Sequence, residues 1–229
     1  MSTEKSKKRN FKQAMNERPM RRMNENTVEF GEASRVGLLI RNAFGPMVKA
    51  TSPNKSIAGR MQKLLLGILK TDISSIRGQR LISKGDLSML LHFDFNEKSP
   101  LSGTFYPYQF TTVDRAAGKF TVKIPPFIPD SSVSAPLSSS HFRLWMVGVE
   151  LDLEKETFSV SQVRSTYQPL DMVEITLPDL EAQFTPGSKQ ALILALSVEF
   201  FQEVNGNMYQ MKNDNLIPVK VLHAESAIV

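Results

Sequence analysis

Eight cations crowd the first 24 residues: Lys5, Lys7, Lys8, Arg9, Lys12, Arg18, Arg21 and Arg22, opposed only by Glu4 and Glu17. Clustered Lys and Arg neutralise phosphates and release condensed counterions, so such a segment binds RNA or DNA in a salt-sensitive, sequence-independent way. Phe11 is the one aromatic among them, too few rings for a base-stacking platform. Two rival readings stand beside this one: a solubilising tail, and a tail that docks on an acidic face of a neighbouring subunit. Arg77-Gly78-Gln79-Arg80 offers two guanidinium forks about a flexible residue, a candidate anion-binding loop. Loop arginines of this kind more often satisfy nearby backbone carbonyls. Phe105, Tyr106 and Tyr108 flank Pro107 and are a candidate groove for a sugar or a peptide, with core and cross-strand packing as the alternative.

Other residue sets point away from catalysis. Glu150, Asp152, Glu154 and Glu156 alternate, which puts them on one face of a strand. No calcium-loop pattern encloses them and Lys155 interrupts the run, so they read as a solvated acidic face and as the counter-surface for a neighbour's basic arm. His92, His141 and His223 each stand alone, without the spacing of a metal motif. Ser140 precedes His141, but adjacent strand residues point to opposite faces, so no nucleophile–base hydrogen bond is expected between them. Paired acids such as Asp94 with Glu97, or Asp171 with Glu174, act together only within a cleft. With no GxSxG, P-loop or GxGxxG motif, the chain assigns no catalytic residue, no metal and no cofactor, and a non-enzyme is expected. The chain has no cysteine, which excludes disulfides and thiolate zinc sites.

The elements that must position these groups follow from charge and periodicity. Residues 1–85 hold 18 Lys/Arg against 6 Asp/Glu, and the remainder 10 against 17, so the two ends of the molecule suit different partners. Residues 1–29 are too polar to offset the entropy of ordering and are expected to form a disordered basic arm. Residues 30–85 are expected to form a helical hairpin. From Glu32, the residues Val36, Leu39, Ile40, Ala43, Phe44 and Met47 share one face, and Pro46 ends or kinks that helix. A turn at Thr51-Ser52-Pro53-Asn54 leads to a second helix over 56–70.

Residues 86–229 read as an antiparallel β-sandwich of about seven to nine strands. Strands are expected over 88–96, 104–113, 119–124, 141–153, 157–166, 172–177, 190–204, 207–212 and 216–223. Asn205-Gly206 predicts a two-residue type I′ hairpin, and turns are expected at 114–118 and 154–156. Residues 192–201 are apolar on both alternating sets apart from Ser197 and Glu199. They predict a central strand covered by a second sheet on one side and by the helical hairpin on the other.

From Gly31 onward the chain resembles a family of uncharacterised bacterial proteins. The resemblance rests on Gly37-Leu38-Leu39-Ile40-Arg41, Arg77-Gly78-Gln79-Arg80, Phe93-Asp94-Phe95-Asn96, His141-Phe142-Arg143-Leu144 and the stretch from Glu199 through Phe200, Phe201, Gln202, Glu203, Val204 and Asn205 to Gly206. It implies a β-rich body with a helical N-terminal segment and carries no activity. No signal sequence or membrane span is evident, so a cytoplasmic location is expected. The expected function is non-catalytic binding or assembly: the arm on an anionic partner, nucleic acid or an acidic protein face, with homo-oligomers an expected form. A self-assembling, coat-like protein and a carbohydrate-binding or hydrolase-like domain are the alternatives.

Overall fold

The computed structural model describes residues 2–50, 56–211 and 217–228, with side chains from Pro19 onward. Three helices lead the chain: α1 (Ser2–Ala43), α2 (Gly45–Ala50) and α3 (Ser56–Leu69). The break at Phe44, with Pro46 in the first turn of α2, and the span of α3 match the apolar spacing, and the turn expected at Thr51-Ser52-Pro53-Asn54 lies outside the described residues. The helix start expected at Glu32 is corrected, because α1 runs back to Ser2 and takes in the residues expected as an arm. The packed half of α1 has already met the cost of nucleation, so each further Lys, Arg, Met, Gln or Glu adds only a propagation step. Arg21 pairs with Glu25 one turn on, at 2.9 Å, while Pro19 inside the helix removes one backbone hydrogen bond.

Among the described residues nine strands follow: β1 (Phe110–Asp114), β2 (Lys119–Lys123), β3 (His141–Asp152), β4 (Thr157–Arg164), β5 (Gln168–Pro169), β6 (Leu180–Gln183), β7 (Ala191–Val204), β8 (Asn207–Gln210) and β9 (Val219–Glu225). A small sheet has the order β1-β2-β6. In the larger, six-stranded sheet β3 and β7 lie side by side, with β4 and β5 sharing the outer edge of β3 and β8 and β9 sharing that of β7. Every pairing is antiparallel. The strand-rich class with an N-terminal helix is therefore as expected. The larger sheet curls as a half barrel.

Strand β7 is covered on both faces. Ala191, Ile193 and Ala195 join Trp145, Val147, Val149 and Leu151 under the helices, where Val36, Ile40, Phe44, Met61, Leu65 and Ile68 meet them. Leu192, Leu194, Leu196, Val198 and Phe200 face the small sheet with Phe120, Val122 and Ala182. Each fully buried Val, Leu, Ile, Met or Phe among them contributes about 1.5–3 kcal/mol of transfer free energy, so this one strand joins two cores. Asn205 and Gly206 have φ of 52° and 78° between paired Val204 and Asn207, as a type I′ turn requires.

Several strand expectations are corrected. Residues 87–90 form a 3₁₀ turn capped by Asp86, whose carboxylate accepts the Ser88 amide, and 92–95 make only a few bonds to β9. Here Phe93 and Phe95 pack edge-on with each other and Phe95 against Phe44. Arg60 of α3 clamps the segment by donating to the carbonyls of Asp94 and Phe95 at 2.7 and 2.9 Å. Of 104–113 only the end is strand, because Pro107 lacks the donor that a ladder needs. Residues 172–177 give a single bridge, Ile175 to Phe127, while β6 went unread because four residues carry too little alternation.

Candidate anion-binding surfaces

The arm residues divide at Pro19. Lys5, Lys7, Lys8, Arg9, Lys12 and Arg18 lie on the helical backbone of α1, and their side chains are outside those described. Arg21 and Arg22 are exposed. Beside them a hollow of about 490 Å³ opens between α1 and the 76–79 loop, lined by Met20, Arg21, Glu25, Val28, Ile76 and Arg77 among others.

Arg77 and Arg80 both lean on α1, and Arg80 Nε is buried there without a hydrogen-bond partner. Arg77 donates to Asn26 Oδ1 at 2.6 Å, and Arg80 lies 4.0 Å from Glu29, whose carboxylate also accepts the Gly78 amide at 2.9 Å. The loop is thus strapped to the acidic flank of α1 by the Arg77–Asn26 and Gly78–Glu29 bonds, with Glu25 and Glu29 at 3.9 and 4.0 Å from the two arginines.

Asp72 builds that loop from the other side. Its carboxylate accepts the Ser74 hydroxyl and the amides of Ser74, Ser75 and Leu81. These bonds, led by Ser74 Oγ, outweigh desolvation and hold the carboxyl well below its usual range. A depressed native value makes the stabilising contribution complete above the unfolded value of 3.8 and drains it as pH falls below that point. Asp72→Asn should therefore flatten the acid limb of stability against pH. Denaturant midpoints of the two proteins at about pH 3 and pH 7 check this, and parallel curves would refute it.

The aromatic groove does not form as one surface. Phe105 is buried in the second core against Phe127 and Phe142, whereas Tyr106 and Tyr108 are exposed and Tyr108 stacks edge-on with exposed Phe110. A hollow of about 230 Å³ nearby is lined by Ser99, Pro100, Gly103, Thr104, Ser134 and Pro136 among others, without those two tyrosines.

The acidic run is likewise largely consumed. Glu150 accepts from Ser188, from Thr185 Oγ and N, and from Ser159. Burial pushes its carboxyl up, but these bonds prevail and the net shift is downward. Asp152 caps its turn through the Lys155 and Glu154 amides and pairs with Lys155 at 3.1 Å. Glu156 pairs with Arg35 of α1.

Ser140 and His141 do meet, contrary to expectation: Ser140 Oγ lies 3.0 Å from His141 Nδ1. Nδ1 is the ring nitrogen nearest its own backbone, so it reaches the residue just before the strand without sharing its face. Ser140 Oγ also accepts the Glu203 amide at 2.8 Å, which makes this group a tie between β3 and the end of β7. Among the described residues no three His, Asp or Glu side chains gather as metal ligands, and no helix is long and apolar enough to cross a membrane.

A second cationic group went unnoticed in the sequence. Beyond the reach of the helices, the face of the large sheet carries Glu199 of β7, 3% exposed, beside Arg143 of β3 and Arg164 of β4. Arg143 donates Nε to Oε2 at 2.8 Å, Arg164 Nε pairs with the same oxygen at 3.4 Å as an ion pair, and Gln210 donates to Oε1 at 3.2 Å. The Arg143 guanidinium caps the edge-on pair of Tyr167 and Phe201, 5.0 and 4.9 Å from rings whose own centroids are 4.8 Å apart. Arg164 lies over Trp145 at 4.0 Å. The available signal was Glu199 itself, a lone charge in an apolar strand; its partners depend on strand register.

Comparison with known proteins finds no match. No family model, no curated protein and no solved structure matches the chain.

Proposed function

We propose that this chain is a non-catalytic binding and assembly protein whose basic N-terminal segment holds nucleic acid while the β-rich body, a sandwich of two unequal sheets, makes the specific contacts. One observation carries the reading: α1 is continuous from Ser2 to Ala43, so the cations stand on the same rod whose C-terminal half is packed into the body. At 1.5 Å per residue the segment 2–24 extends about 35 Å, enough to follow several successive phosphates. A helix already in place also avoids most of the ordering cost, about 1–2 kcal/mol per residue, that a free tail meets on binding.

The same structure weakens the rival in which the arm docks on a neighbour's acidic face. Glu150, Asp152 and Glu156 are engaged within their own chain, which leaves Glu154 of that run as a counter-charge. A partner with its own dense negative charge fits better.

Fluorescence anisotropy with a labelled 20-nucleotide single strand and a 20-base-pair duplex tests the reading. The chain should bind both, and for six or more phosphate contacts the affinity should fall roughly 10³-fold or more between 50 and 200 mM salt. Replacing all eight arm cations by Gln should remove that salt dependence. Absence of binding at about 50 mM salt, or an unchanged slope in the variant, refutes the arm's role. Light scattering of the nuclease-treated protein tests assembly, and a persistent monomer would remove that part of the proposal.

A further inference from the structure

We propose that Arg143 and Arg164 form a binding site for a phosphate group on the open end of the large sheet. The argument begins with a surplus of donors. Glu199 is the only carboxylate within ion-pair distance of either arginine among the described residues, and its two oxygens already accept a hydrogen bond each, from Arg143 and Gln210, beside the Arg164 ion pair. Two guanidinium groups against one carboxylate leave a net positive charge beside a buried floor of Trp145 and Phe201.

The geometry then says which atoms are left over. Each arginine meets Glu199 through Nε, so the two groups sit side by side with their inner edges anchored. Arg143 Nη1 also donates to Tyr167 Oη at 3.3 Å. Arg143 Nη2 and both Nη atoms of Arg164 have no partner among the described residues. The aromatic faces fix both guanidinium planes, so little rotamer entropy remains to be lost when a ligand arrives. Trp145 and Phe201 are buried beneath the arginines and offer no free face for a base, while Tyr167 stays exposed at the rim.

Three nitrogens on two guanidinium planes suit a tetrahedral oxyanion better than a carboxylate, whose two oxygens match the single edge of one fork. The chemistry recognised is therefore phosphate, either free or as a monoester, or as the backbone of a nucleic acid. The site stands apart from the arm, and its test does not require the arm to bind anything.

The test uses the full-length chain and inorganic phosphate, with chloride at matched ionic strength as reference. For a dissociation constant near 1 mM, about 10 mM phosphate should raise the melting temperature by about 3–5 °C. Arg164→Gln keeps the Arg143–Glu199 bond and should weaken phosphate binding by about tenfold or more in calorimetric titration. Arg164→Lys keeps the charge but loses the fork, so its affinity should fall between the two, and it serves if the Gln variant does not fold. Equal melting in phosphate and chloride, or wild-type affinity in both variants, overturns the proposal. Ten-nucleotide oligothymidylate added to the arm-neutralised chain separates the sources. Competition with phosphate assigns the site to a nucleic-acid backbone, and phosphate binding without competition assigns it to a free phosphate or monoester; either result supports the site.

Discussion

Gly148→Val should cost at least about 3 kcal/mol. A Cβ built on Gly148 lies 2.5 and 2.7 Å from Cδ2 and Cε2 of Phe120, and 3.5 Å from Cβ of Ala182. Real Cβ atoms do not approach a ring that closely, so ring or strand must move. Phe120 is fully buried and packs against Phe184 at 4.7 Å between centroids. Strand β3 is held on both sides, with Gly148 opposite Ser161 of β4 and Leu194 of β7. Interiors are close-packed, and neither partner has empty space to enter. Gly148→Ala should show the same conflict at about 2 kcal/mol. Denaturant melts of Gly148→Ala, Phe120→Leu and the double variant provide the check. Relief of the clash predicts that the double variant is more stable than the sum of the singles by about 1 kcal/mol or more. Strict additivity would mean that the ring is not what Gly148 accommodates.

That close approach explains why a glycine interrupts the central strand of the larger sheet, and it marks the limit of what was legible beforehand. Features set by neighbours in the chain were readable. The apolar face of α3, the break at Pro46, the two-sided apolar run of β7 and the positive-φ pair Asn205-Gly206 are all local consequences of period or turn chemistry. Features set by another element were not. Residues 88–96 alternate like a strand, but β9 offers them only a few bonds, and a 3₁₀ turn with packed phenylalanines results. The N-terminal segment has neither apolar face nor caps, so its helix has no local signature and extends from the packed half of α1. Among the candidate sites, Arg77 and Arg80 carried the right chemistry in the wrong surroundings, since Glu29 and Asn26 reach them from a helix turn about fifty residues earlier. Arg143 and Arg164 were invisible as a pair because strand register alone brings them to Glu199.

Glu199→Ala is the second large effect, and it tests how that register-built group is held. Breaking a buried ion pair by removing one partner costs about 3–5 kcal/mol, because the other charge is left without compensation. Here Arg143 and Arg164 keep side-chain exposures of 21% and 34%, so water recovers part of the loss and the expected cost lies near 3 kcal/mol. Glu199→Gln retains the shape and an acceptor and should cost about half as much. The informative comparison is a triple variant, Glu199→Leu with Arg143→Met and Arg164→Met, which removes all three charges together. Apolar replacement of a complete buried ionic group is often neutral or stabilising, so the triple variant should melt above Glu199→Ala although it carries more changes. Denaturant unfolding of the three proteins ranks them. A Glu199→Ala variant within about 0.5 kcal/mol of wild type would place the arginines among ordinary surface ion pairs. Their guanidinium groups would then not be held in advance of a ligand, and the phosphate site would lose the preorganisation on which its affinity rests. If instead the triple variant is stable, binds no phosphate and keeps its salt-dependent affinity for nucleic acid, then the charges on this face serve recognition more than folding. The arm would then bind independently of them.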